Sequence, residues 1–157
     1  MKKNKWKYRV LIVGLGNHIM GDDGAGVKLI EELKKEKIPD NYNIKLIEVE
    51  IAPINFLKEI SISKRIIAVD AVKGGEKPGT VYELSLRDFK ESGADNLHGF
   101  TLYEVIKTAK SMTGFPAETK IYGIEPKIIS YSTNLSKPIK KTISSLKKRI
   151  ITEINDL

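Results

Sequence analysis

Two adjacent acids, Asp22 and Asp23, stand between glycines in the segment GLGNHIMGDDGAG. A third acid, Asp70, closes the apolar run RIIAVD, and His98 lies in NLHGFTL. Two carboxylates and one imidazole form a ligand set suited to a divalent transition metal. The same groups can also move protons during a hydrolysis. Each has a plainer use as well. Acids just ahead of a helix accept its free N–H groups, so Asp22 is expected to cap the helix that follows and Asp23 to face the crevice. Asp70 can cap a turn, and His98 can be a surface or capping histidine. Chemistry is favoured because Asp23, Asp70 and His98 are all predicted to meet at one edge of a sheet. Glu125, in GIEP, reads chiefly as part of a turn before Pro126, with substrate orientation as a second role, and His18 reads as loop structure.

The elements that must position these residues follow from hydropathy patterning. Arg9 to Val13 is a short apolar run closed by glycines, the signal of a buried strand. A helix is predicted over Ala25 to Glu36, stopping near Pro39, and a second strand over Ile44 to Glu50. Pro53 can open a short helix through Ile60, because a first turn does not need its missing N–H. Arg65 to Val69 is a third strand. Thr80 to Leu84 returns after a Gly-Pro-Gly turn, antiparallel at an edge. Leu102 to Met112 is an amphipathic helix, and Ile121 to Ile124 a last short strand. Ser136 is placed to cap a C-terminal helix with Pro138 in its first turn and a stripe of Ile139, Ile143, Leu146, Ile150 and Ile154. The stretch from Ser85 to Gly99 is the least regular, and an irregular loop of that length in a compact domain is often functional. Strands alternating with helices predict a three-layer α/β/α sandwich. It is built on a mostly parallel, twisted sheet of about five strands with helices on both faces. In such sheets chemistry gathers at the carboxyl ends of the strands, which is where Asp23 and Asp70 fall.

The chain has 157 residues, read as one domain over 1–157, and no cysteine. That composition rules out a disulfide scaffold, cysteine-based zinc or iron–sulfur sites and a thiol nucleophile, and it fits a reducing cytoplasm. No apolar stretch approaches the roughly 20 residues that span a bilayer. The net charge of +7 is concentrated at the two ends of the chain. No basic motif interleaved with aromatics accompanies it, so a solvated lysine-rich surface is expected, with neither nucleic acid nor membrane as partner.

Two familiar motifs can be compared with the first loop. A dinucleotide fingerprint needs a third glycine where Ile19 stands. LIVGLGN resembles the opening of the peptidyl-tRNA hydrolases, but that family continues with a proline and a nearby histidine, and this chain reads HIMGDDGAG.

Four blocks in order resemble the hydrogenase maturation endopeptidases: GLGNHIMGDDGAG, IIAVDAVKGGEKPGTVYEL, LHGFTLYEVI and YGIEP. Ala52-Pro53, Tyr131 and LSKP look most like the formate-hydrogenlyase type. The resemblance implies a peptidase that removes a short C-terminal extension from the precursor of a nickel–iron hydrogenase large subunit once nickel is loaded. It also implies that Asp23, Asp70 and His98 contact that nickel, which arrives with the substrate, and that they serve as the catalytic set. Asp22, beside the first ligand, is left the capping role, so Asp22→Asn is expected to be milder for chemistry than substitution of those three, because Asn also caps a helix well. The partner implied is the large-subunit precursor, met by a cytoplasmic monomer. Two alternatives remain: a peptidyl-tRNA hydrolase-like esterase, and a nickel-sensing chaperone of the large subunit that does not cut.

Overall fold

The computed structural model describes residues 5–93 and 101–157. His98 lies outside the described residues. Five strands, β1 (Tyr8–Leu15), β2 (Ile44–Val49), β3 (Ser63–Ala71), β4 (Val81–Leu84) and β5 (Glu118–Ile124), form one sheet in the order β2-β1-β3-β5-β4. All neighbours are parallel except β4, which runs antiparallel to β5 at the edge. Five helices complete the layers: α1 (Ala25–Lys34), α2 (Leu57–Ser61), α3 (Leu86–Glu91), α4 (Leu102–Thr113) and α5 (Lys137–Asn155).

Successive strand residues point to opposite faces, and both faces are apolar. Val10, Ile12, Ile67, Val69, Tyr122 and Ile124 pack with α1 and with the Ile139–Ile154 stripe of α5. Leu11, Val13, Ile66, Ala68 and Ile121 pack with Ile60 of α2, Phe89 of α3 and the Leu102, Val105, Ile106 and Ala109 face of α4. The expected three-layer sandwich is therefore present. Each fully buried aliphatic side chain contributes about 1.5–3 kcal/mol at most to holding the layers together.

Helix α4 opens with a capping box. Thr101 Oγ1 accepts from the Glu104 N–H, and the Glu104 carboxylate accepts from the Thr101 N–H. The stretch after β4 corrects the first part of the irregular-loop expectation, because Ser85 and Asp88 form a second box that starts α3; residues 94–99 of that stretch lie outside the described residues. Strand β5 begins at Glu118, ahead of the predicted Ile121. Its polar first residues lie beside β3, where Arg65 pairs with Glu118 and Lys120 reaches Glu153 of α5. Among the described residues no helix is long and apolar enough to cross a membrane.

Candidate active site

From β1 the chain goes to β2 on one side and later returns as β3 on the other. The connections thus diverge between β1 and β3, and ligands of open α/β sheets bind outside the carboxyl ends of strands at such a switch point. The residues past β1 are compressed into that place. Gly16 has φ +134°, and a Cβ there would sit 1.9 Å from the carbonyl oxygen of Asp23. Gly26, in the first turn of α1, lies so close to both strands that a Cβ would be 2.2 Å from the Val69 carbonyl oxygen and 2.4 Å from that of Leu15. The short 3₁₀ turn Gly21–Gly24, which carries both acids, consequently packs directly on β3. Asp70 is the residue after Val69. The structure brings the Asp23 turn and Asp70 to one edge.

The two adjacent acids have different surroundings. Asp23 is half-buried, and its Oδ2 accepts the Asn17 N–H at 3.1 Å. Asn17 in turn accepts from the Ile19 N–H through its side chain. The Asp23 carboxylate is therefore tied back to the glycine loop, and α1, whose N-cap is Gly24, receives no side-chain cap. Asp70 is buried at the end of β3, with Oδ1 accepting the Ala71 N–H at 2.8 Å.

Asp22 corrects the capping expectation. It is 1% exposed, and both of its oxygens are turned away from α1 toward the segment after β5. Oδ2 accepts the N–H groups of Lys127 (2.9 Å) and Ile128 (2.8 Å) and the hydroxyl of Ser136 (2.8 Å). Oδ1 accepts the Ser136 N–H at 2.8 Å. Ser136 does stand at the N-cap of α5, but its hydroxyl serves Asp22 and caps nothing. Burial works to raise the Asp22 pKa, and the bonds from Ser136, Ile128 and Lys127 outweigh it, so the carboxyl lies below its ordinary value. No cation is needed, because a carboxylate that accepts several N–H bonds is stabilised in its charged form.

Glu125 is likewise more than part of a turn. It is buried two residues beyond Gly123, the β5 partner of Asp70. Its Oε2 accepts the Gly74 N–H at 2.6 Å and the Tyr82 hydroxyl at 2.7 Å, which pins the loop that follows Asp70. Burial pushes its pKa up, but the Gly74 N–H, the Tyr82 hydroxyl, the Gly75 N–H and the nearby Lys73 bring it net below the usual glutamate value. Sequence reasoning missed these two braces. The only signal was an acid interrupting or closing an otherwise apolar frame. His18 behaves as loop structure, its ring Nδ1 paired with the Glu50 carboxylate at the end of β2. That contact and the Glu50 charge raise its pKa.

Among the described residues no group of three or more His, Asp or Glu side chains is placed to hold a metal ion. The third member of the expected set, His98, lies outside them. A cleft of about 460 Å³ opens beside the site, lined by Gly21 and Gly24 of the acidic turn, Lys28, Asn134 and Lys140 among others. Neither Asp23 nor Asp70 lines it.

The hydrogenase maturation protease (HycI) family model matches residues 27–153, most of the chain. The chain belongs to the hydrogenase maturation protease family. The Hydrogenase 3 maturation protease of Escherichia coli K12 is 30% identical over 142 residues, covering 89% of this chain and 87% of that protein. A putative hydrogenase maturation protease of Methanocaldococcus jannaschii is 34% identical over 82 residues, but the aligned stretch spans only 51% of this chain and 52% of that relative's length. Among solved structures, the nickel–iron hydrogenase maturation protease HycI from Thermococcus kodakarensis KOD1 superposes with a TM-score of 0.76 at 28% identity. That match covers 96% of this chain and 94% of its own. The family placement agrees with the resemblance to the hydrogenase maturation endopeptidases and leaves the peptidyl-tRNA hydrolase reading without support.

Proposed function

We propose that the protein is an endopeptidase that removes a short C-terminal extension from the precursor of a nickel–iron hydrogenase large subunit after nickel has been inserted. The observation that carries this reading is the meeting of the Asp23 turn and Asp70 at the β1/β3 switch point in a chain of the maturation protease family. In this reading the nickel belongs to the substrate, held there by thiolates that this cysteine-free chain cannot supply. Asp23, Asp70 and His98 add carboxylate and imidazole ligands, an open and incomplete set without the substrate's share. Docking through the ion places the scissile carbonyl at the sheet edge. Water adds to the carbonyl carbon, the C–N bond breaks, and the released amine takes a proton. The substrate's nickel can polarise the carbonyl, or a carboxylate can activate the water. The lack of cysteine accords with a reducing compartment, and we place the reaction in the cytoplasm.

The test offers purified nickel-loaded and nickel-free precursor side by side without free metal, with products weighed by mass spectrometry. Cleavage of the loaded form alone is expected. Equal cleavage of both removes nickel as the recognition element, and an intact but tightly bound loaded precursor would make the protein a chaperone.

A further inference from the structure

Six large apolar side chains are exposed among the described residues, and five of them lie at the site's end of the sheet. Ile51 (79% exposed) and Ile54 follow β2, while Ile128 (51%), Ile129 and Tyr131 (83%) follow β5. Because β2 and β5 are parallel to β1 and β3, both groups leave from the carboxyl edge that carries Asp23 and Asp70. The sixth, Met112, ends α4 at the opposite edge. Apolar exposure gathered around a site, in place of single scattered residues, marks a binding surface.

The backbone bearing Ile128, Ile129 and Tyr131 is not a loose loop. Asp22 holds it at Lys127, Ile128 and Ser136, and the Asp22 N–H donates to the Ile128 carbonyl. Ser132 exchanges backbone bonds with Ile19 and Gly21. One buried carboxylate thus fixes the apolar segment to the very turn that presents Asp23. Side chains mounted on a braced backbone lose less freedom on binding than those of a free loop. The margin of this surface is basic. Among the described residues Lys127 is exposed beside Ile128 on the loop after β5, and Lys73 and Lys77, with the acid Glu76, are exposed on the loop after β3, while Glu50 after β2 is engaged by His18.

We propose that the Ile128–Tyr131 segment, with Ile51 and Ile54 across the β1/β3 crevice, is the docking surface for an apolar stretch of the precursor polypeptide flanked by acidic residues. This rests on the peptidase reading and adds a second recognition element beside the metal. Asp22 is then a positioning residue that keeps the docking segment and the Asp23 turn in register.

The experiment measures cleavage of nickel-loaded precursor by wild type, by the double variant Ile128→Ser/Tyr131→Ser, by Ile51→Ser and by the control Met112→Ser. These side chains are exposed, so circular dichroism and Tm should hold. The double variant is expected to raise KM about ten-fold or more with kcat within about two-fold, because truncated interface anchors act on binding. Met112→Ser should change neither. Nickel-free precursor, which cannot dock through the metal, should be bound but not cut by wild type, and bound about ten-fold more weakly by the double variant. Cleavage at unchanged KM in the double variant overturns the docking surface and leaves the peptidase reading standing. Wild-type protein that binds precursor through this surface yet never cuts it overturns the peptidase reading and supports the surface. A wild-type dimer in sedimentation that the double variant dissociates would assign the surface to a second copy of this chain and overturn the proposal.

Discussion

The two ends of the sheet handle buried or half-buried acids in opposite ways. At the amino end, Glu153 of α5 accepts from the Tyr122 hydroxyl at 2.8 Å and from the Lys120 ammonium at 3.0 Å, side chain to side chain. At the carboxyl end, Asp22 and Glu125 are satisfied almost wholly by backbone N–H and hydroxyl groups of distant loops. An acid paired with a lysine ties one element to another and lets both side chains adjust. An acid held by backbone amides dictates where the chain itself runs. The first device suits a packing interface, and the second suits an edge where loops must hold reactive groups in place. Asp23 and Asp70 stand among loops arranged by such braces.

The sharpest break in this comparison separates Asp23 and Asp70 from their bracing neighbours. Asp23→Asn and Asp70→Asn should each cut precursor processing by about 10²-fold or more, as expected for groups acting on the reacting bond, while Tm stays within a few degrees. A wild-type processing rate in either variant would remove that residue from the site. Asp22→Ala should act the other way, chiefly on stability. It removes four part-buried hydrogen bonds to a charged acceptor, from the Lys127, Ile128 and Ser136 N–H groups and the Ser136 hydroxyl, each worth about 1.5–3 kcal/mol, so a large drop in urea midpoint is expected. Asp22→Asn should also be costly, by about 1–3 kcal/mol, since its amide NH₂ would face donors where an oxygen now accepts. This reverses the mild effect that a capping role implies. A near-native midpoint for Asp22→Asn would restore that role.

Glu125→Gln comes next. It keeps one acceptor but weakens the hold on Gly74 and Tyr82, and a loss of about 1 kcal/mol should accompany a several-fold fall in kcat as the loop after Asp70 loosens. Unchanged kcat would make Glu125 a purely structural residue. The smallest effect is at the amino end. Burial raises the Glu153 pKa, but the Tyr122 hydroxyl and Lys120 lower it further, to a net value below its ordinary 4.5. Folding therefore favours its ionised form. Its contribution is complete above that ordinary value and is lost as pH falls through the lower folded one. The Tm difference between wild type and Glu153→Gln should shrink over that window, and a constant difference would break the assignment.

What the sequence determined by itself was every feature carried by local pattern. Apolar runs, closed by glycine in one case and by Asp70 in the other, located β1 and β3, the 3.6-residue stripe located α5, and strand–helix alternation implied the sandwich. The same reading put Asp23 and Asp70 at carboxyl ends of parallel strands, because direction in a parallel sheet is set by chain order. The helix α3 was legible in principle from Ser85 and Asp88, a capping pair three residues apart that the irregular-loop reading passed over. Sequence reading also assigned the crevice to Asp23, whereas tertiary structure alone decided what Asp22 bonds to. Asp22 and Ser136 are 114 residues apart, and Glu125 meets Gly74 across 51. Such bonds leave no trace in local spacing, since any acid beside a helix start carries the same capping signature. Only the strand order, which brings the end of β5 back over the turn after β1, shows that Asp22 serves a distant loop.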